Sequence, residues 1–201
     1  MHEARARNPA IRLYALEWAV PGWVISPQNL TGNSYVPANR RYTLDWLRGA
    51  KERWNISAVD YLGFWNEPDD NQFAPVSYIK ALRGDLDRAG WAQTKLVALD
   101  QDSGHAYLYV NAMANDTALQ RAVHAFGFHG TPARVVTPRA GHEPWVEGYL
   151  ALDPRTRPRL WASEDGNLPA SMSGARAWGR IASVNWLALN VTALVRCGPQ
   201  P

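Results

Sequence analysis

Leu62-Gly63-Phe64-Trp65-Asn66-Glu67-Pro68 is an apolar run that stops abruptly at Asn-Glu-Pro. Continuously hydrophobic runs of this length read as strands covered on both faces. Glu67 then sits where the chain leaves the core, and Pro68 resists continuation as a central strand. A carboxylate at the C-terminal end of a buried strand is where parallel barrels keep their catalytic groups. A second stretch repeats the design: Leu160-Trp161-Ala162-Ser163-Glu164-Asp165-Gly166. Together the two stretches predict an α/β barrel with Glu67 and Glu164 at one rim.

The rest of the chain fits that prediction. Apolar strands are expected at 11–16, 59–65, 95–99, 125–128, 159–163 and 191–195. Helices are expected at 38–54, 75–89, 108–123 and 174–188. Leu44, Leu47 and Trp54 mark the apolar face of the first helix; Val76, Ile79, Leu82 and Leu86 mark that of the second. Pro75 opens that second helix and Gly90 follows its end. Strand and helix alternate with no hairpin signal, the pattern of a parallel sheet. Residues 24–37 and the proline-punctuated 131–158 read as loops, with one helical turn around 145–152. The opening residues read as the tail of a helix stopped by Pro9, so the chain is expected to lack elements before it.

Composition excludes several classes. The chain has 201 residues, enough for one domain with a sizeable core. Its formal charge of +3 comes with scattered Arg residues and no basic run, so nucleic-acid binding is not expected. No stretch approaches ~20 apolar residues, so no transmembrane helix is expected, and the N-terminus lacks a signal-peptide core. Cys197 is the single cysteine, so no internal disulfide can form. No His/Cys/carboxylate cluster has metal-ligand spacing, so neither metal nor cofactor is expected. A nucleotide-binding glycine loop is absent. Sequons stand at Asn29, Asn55, Asn115 and Asn190, the last in a segment that reads as buried.

The two glutamates suit glycoside hydrolysis. A retaining glycosidase needs two carboxyls about 5–5.5 Å apart, one protonated and one ionised. Glu67 is the candidate acid, because the apolar Phe64-Trp65 before it would desolvate its carboxyl and raise its pKa. Asn66 can donate to the hydroxyl beside the anomeric carbon. Glu164 is the candidate nucleophile, with Ser163 and Asp165 as neighbours. A strand-end glutamate is ordinarily solvated or caps a helix; two sites with the same syntax weigh against coincidence. Trp18 and Trp23, around a Pro-Gly turn, are candidates for a sugar-stacking platform. His129 reads equally as a substrate-facing or a structural histidine. Asp100 and Asp102 read as helix-cap residues, and Trp65 and Trp161 as packing between sheet and helices.

Four segments resemble the galactocerebrosidase (galactosylceramidase) family of retaining glycoside hydrolases, in that family's order. They are Leu16-Glu17-Trp18-Ala19-Val20-Pro21-Gly22-Trp23, Tyr61-Leu62-Gly63-Phe64-Trp65-Asn66-Glu67, Leu160-Trp161-Ala162-Ser163-Glu164-Asp165 and Ala177-Trp178-Gly179-Arg180-Ile181. Asn-Glu-Pro alone is weak; the Trp-x-x-Pro-Gly-Trp loop, the Ser-Glu-Asp strand and the Trp-Gly-Arg helix are far more specific. The resemblance implies a (β/α)8 TIM barrel that removes β-galactose from galactosylceramide with retention. By motif, Glu67 is implied as acid/base, Glu164 as nucleophile, and Asn66 and Trp18 as substrate contacts. It also implies a lysosomal or secreted glycoprotein of sphingolipid degradation that meets its lipid on a saposin-type carrier.

The family's acid/base and nucleophile strands are its fourth and seventh, here the second and fifth. The chain is therefore expected to hold strands three to eight as one partial domain over 1–201. The family's C-terminal β-sandwich and lectin-like domains have no counterpart in it. The family's His-Tyr-Pro-Gly run appears only as Phe128-His129-Gly130-Thr131-Pro132, and the last six residues depart from the family pattern. A barrel short of two strands is expected to carry two open edges. Two alternatives stand beside this reading: another retaining β-glycosidase of the same architecture, such as a glucosidase, and an inactive sugar-binding fragment of a larger enzyme.

Overall fold

The computed structural model describes residues 2–25, 35–67, 73–129, 145–166, 171–188 and 190–197. Six strands follow one another in one sheet in chain order: β1 (Tyr14–Leu16), β2 (Tyr61–Gly63), β3 (Lys95–Gln101), β4 (Val123–His129), β5 (Arg159–Gly166) and β6 (Ala193–Cys197). The pairs β1–β2, β4–β5 and β5–β6 run parallel, and every crossover is helical. This is the incomplete (β/α)8 pattern, with β1 and β6 at the ends of the strand order. Contacts divide the chain into two compact units, Met1–Leu96 and Val97–Pro201.

In the first unit, α1 (His2–Arg7) ends before Pro9 as its sequence dictates. Asp60 ties the entry of β2 to that of β1. It accepts from the Leu13 N–H at 2.9 Å and from Arg12 at 2.9 Å, and pairs with Arg5 at 3.4 Å. A short helix, α2 (Gly22–Ile25), occupies the loop expected around Trp23.

α3 (Pro37–Trp54) starts on a proline and ends at Asn55, whose φ of 47° is the left-handed cap geometry an asparagine tolerates. Its buried stripe is Asn39, Thr43, Leu47 and Ala50, not Leu44–Leu47–Trp54. Trp54 is exposed. Two polar residues at helical spacing hid this face from a hydrophobicity count. In α4 (Val76–Arg88), Tyr78 joins the expected Ile79, Leu82 and Leu86.

In the second unit, the helix expected over 108–123 is two helices, α5 (Ala106–Met113) and α6 (Thr117–Ala122). Asp116 breaks them apart: its side chain accepts from the Leu119 N–H at 2.9 Å and caps α6. β4 therefore begins at Val123. α7 (Trp145–Ala151) covers the turn expected near 145–152, and Trp145 stacks on Phe128 at 5.5 Å.

α8 (Met172–Ser183) continues as a π-helix over Val184–Ala188. The Val191 N–H returns to the Asn185 carbonyl at 2.9 Å, so β6 starts two residues later than expected. Asn190 is exposed with a φ of 52°, not buried, and Asn55 and Asn115 are exposed too. Asn29, Pro68 with the polar 69–71 loop, Gly130 to Pro144 and the last four residues lie outside the described residues.

Candidate active site

In the first unit the site residues gather at the C-terminal ends of β1 and β2. The register Leu16↔Gly63 continues beyond the strands, where the Asn66 N–H donates to the Glu17 carbonyl at 2.8 Å. That bond sets Asn66-Glu67 beside Glu17-Trp18. Asn66 is buried, and its Oδ1 has no hydrogen-bond partner among the described residues. Glu67 follows in left-handed backbone, φ 45°, and is exposed. The apolar residues before it pack inward, Phe64 on Tyr78 and Trp65 on Tyr35.

Trp18 is 66% and Trp23 73% exposed, as a stacking platform requires, and the Trp23 ring is braced edge-on by Tyr42 at 5.6 Å. A cavity of about 300 Å³ opens between β1 and α3, lined by Glu17, Trp18, Tyr42, Thr43 and Trp46 among others.

Glu17 is the desolvated carboxyl that the sequence reading missed. Burial pushes its pKa up from 4.5 to about 7, only partly offset by the Asn39 amide, which donates to Oε2 at 3.3 Å. Oε1 has no hydrogen-bond partner among the described residues, and the Tyr78 hydroxyl lies close by, beside the Asn39 amide. Burial and the Glu17 charge both push the Tyr78 hydroxyl up as well. The available signal was a charged residue directly after an apolar strand.

In the second unit β5 carries Glu164 inside the strand, not past its end. The β4–β5 register shifts between Phe128 and His129, so that His129 pairs with Glu164; the β5–β6 register shifts between Ala162 and Asp165. β5 thus has one extra residue against both neighbours at Ser163-Glu164. A bulge of this kind re-aims side chains and recurs beside active sites. Glu164 is 28% exposed, with Oε2 3.8 Å from His129 Nε2. Of its sequence neighbours, Asp165 receives the Asn185 amide at 3.5 Å and Ser163 donates to the Phe128 carbonyl at 3.4 Å.

Asp100 is not a helix cap. It is 1% exposed at the end of β3, and Oδ1 lies 3.9 Å from the same His129 Nε2. Asp102 does cap, accepting from the Gly104 N–H at 2.8 Å. Leu99 and Asp100 have φ of 82° and 49°, both in the region L-residues avoid. Gly127 admits this arrangement: a Cβ there would stand 2.6 Å from Ser163 Oγ and 2.7 Å from Asp100 Oδ1. Gly127→Ala should therefore cost roughly 2–3 kcal/mol, the upper part of the overpacking range, because the Ser163 hydroxyl can rotate away but the buried Asp100 carboxyl cannot. Denaturant melts of the two proteins check this; equal midpoints would mean the pocket around Asp100 yields freely.

Among the described residues no group of His, Cys, Asp and Glu could hold a metal ion, and no helix is long and apolar enough to cross a membrane. Comparison with known proteins places the chain. Glycosyl hydrolase family 59 matches residues 1–198. The chain belongs to glycosyl hydrolase family 59. It is 36% identical to a galactocerebrosidase of Danio rerio over 196 residues, which is 97% of this chain and 26% of that protein. It is 32% identical to a galactocerebrosidase of Homo sapiens over 194 residues, 93% of this chain and 24% of that protein.

The chain thus spans about a quarter of the length of these relatives. Among solved structures it resembles SrfJ from Salmonella typhimurium, with a TM-score of 0.64 and 19% identity over 97% of this chain and 46% of that one. It also resembles a GH30 endoxylanase from Clostridium papyrosolvens C71, with a TM-score of 0.61 and 15% identity over 97% of this chain and 50% of that one. Both likenesses agree with the barrel architecture.

Proposed function

We propose that this chain carries the catalytic carboxylates of a retaining β-galactosidase that hydrolyses galactosylceramide. The observation that supports this most is the 36% identity to a galactocerebrosidase along nearly the whole chain, which includes both glutamate-bearing strands. Glu67 acts as acid, protonating the glycosidic oxygen as ceramide leaves. Glu164 attacks the anomeric carbon and forms a galactosyl ester. Glu67, now a carboxylate, takes a proton from water, which attacks the same carbon from the side the leaving group left. Two inversions give retention.

Asn66 binds the hydroxyl beside the anomeric carbon; its buried Oδ1 has no hydrogen-bond partner among the described residues. Trp18 and Trp23 offer apolar faces to the sugar's C–H surface, and His129 borders the nucleophile. The ceramide tail calls for a saposin-type carrier, and the acid-favoring Glu17 suits a lysosomal or secreted enzyme acting at mildly acidic pH.

Parallel assays on fluorogenic β-galactoside and β-glucoside at pH 4.5–5 test this reading. A galactoside preference of about 10-fold or more is expected, the net worth of roughly one hydrogen bond to the axial hydroxyl. Preference for the glucoside would assign the chain to a different retaining β-glycosidase.

A further inference from the structure

His129 Nε2 stands between two carboxylates, 3.9 Å from Asp100 and 3.8 Å from Glu164. We propose that Asp100 is a positioning residue for the nucleophile: it holds the His129 imidazole as a cation beside Glu164, so that a fixed positive charge faces the ester-forming carboxylate. This rests on the reading of Glu164 as nucleophile.

The first support is the way the fold places Asp100. Its carboxyl is 1% exposed, among the most costly positions for a charge to occupy without a cationic neighbour. Reaching it takes two consecutive non-glycine residues in left-handed backbone, Leu99 and Asp100, and a glycine opposite at 127. Strain of this kind persists where surrounding structure over-determines it, and it clusters at functional sites.

The second support is charge count. Two carboxylates that share one imidazole favour its protonated form, since an opposite charge within about 4–6 Å favours the charged state. Among the described residues, the carboxylates within 4 Å of His129 Nε2 are Asp100 on β3 and Glu164 on β5. Asp165, next on β5, accepts from the Asn185 amide at 3.5 Å. On β4 the adjacent Phe128 is apolar. The imidazolium therefore answers both carboxylates from one nitrogen. Asp100 is buried and fixed, while the more exposed Glu164 is the one left to face substrate.

Histidine-labelled NMR of the 201-residue chain tests this without relying on turnover. The His129 resonance is assigned by its loss in His129→Gln. In wild type it should titrate above the ordinary imidazole midpoint of about 6.5. Asp100→Asn should lower that midpoint by roughly one pH unit, and Glu164→Gln should lower it comparably. In Asp100→Asn the bell-shaped kcat/KM profile should lose its alkaline side by the same shift, with KM changed less than kcat.

An unchanged His129 midpoint in either variant overturns the proposal. Glu164→Gln keeps the test decisive if Asp100→Asn does not fold. Absence of glycosidase activity in wild type would instead sink the hydrolase reading, while the midpoint shifts would still decide whether Asp100 and Glu164 share the imidazolium.

Discussion

Glu164→Gln should lower kcat/KM on a β-galactoside by at least about 10³-fold while leaving sugar affinity within a few-fold of wild type. The amide keeps the side chain's shape but offers no anionic oxygen to form the galactosyl ester. The bulge at Ser163-Glu164 is set by strand pairing on both sides, so the variant should keep the fold. Two controls separate this outcome from general damage. The first is Glu67→Gln, which should be far less harmful on substrates whose leaving group departs without protonation. The second is added azide. In Glu164→Ala a small anion can take the space the side chain leaves and attack the face opposite the leaving group, so turnover should return as the α-azide. Near-wild-type turnover in Glu164→Gln would remove Glu164 from the mechanism.

The strand ends were legible because each ends an apolar run at a polar residue, a pattern that depends only on local sequence. That is why Asn66-Glu67 and Ser163-Glu164 could be placed near the ends of buried strands from residue types alone. What escaped notice depends on tertiary context. Asn39 lies on the buried stripe of α3 with Glu17, far away in sequence, as the amide's acceptor, and Thr43 beside it donates to the Asn39 carbonyl at 3.0 Å. Asp100 reads as an ordinary cap residue; only its left-handed backbone and the missing Cβ at Gly127 turn it toward His129. The bulge in β5 is a relation between three strands and leaves no mark in one of them. By contrast, the break at Asp116 was legible in principle, since Asn115-Asp116-Thr117 is a capping signal inside the expected helix.

Glu17→Gln should make the protein about 2 kcal/mol more stable than wild type at pH 8 and leave it nearly unchanged at pH 4.5. The sign follows from linkage. The unfolded carboxyl titrates near 4.5 and the folded one near 7, because burial disfavours its charge. Below about 4.5 both states carry the proton, and the fold bears no penalty. As pH rises from about 4.5 to 7 the unfolded state releases its proton first, and stability falls. Above about 7 the carboxylate is ionised in both states and the loss is complete. A displacement of that size is about 3.5 kcal/mol at ~1.4 kcal/mol per pH unit, reduced to about 2 by the partial exposure of Glu17. Asp60 sets the opposite limit. Burial alone would push it up, but the Leu13 N–H and the Arg12 and Arg5 guanidiniums outweigh this and hold it below 3.8. Its stabilisation is present above the unfolded value and fades as pH falls through the folded one. The contributions of these two carboxyls are jointly most favourable between the range where Asp60 protonates and the range where Glu17 ionises. Urea melts of both proteins from pH 4 to 8 check this. The wild-type curve should drop away from the variant's between pH 4.5 and 7 and then run below it by a constant margin. Parallel curves across the whole range would show that Glu17 is charged in the fold and that the Asn39 amide is enough to keep it so.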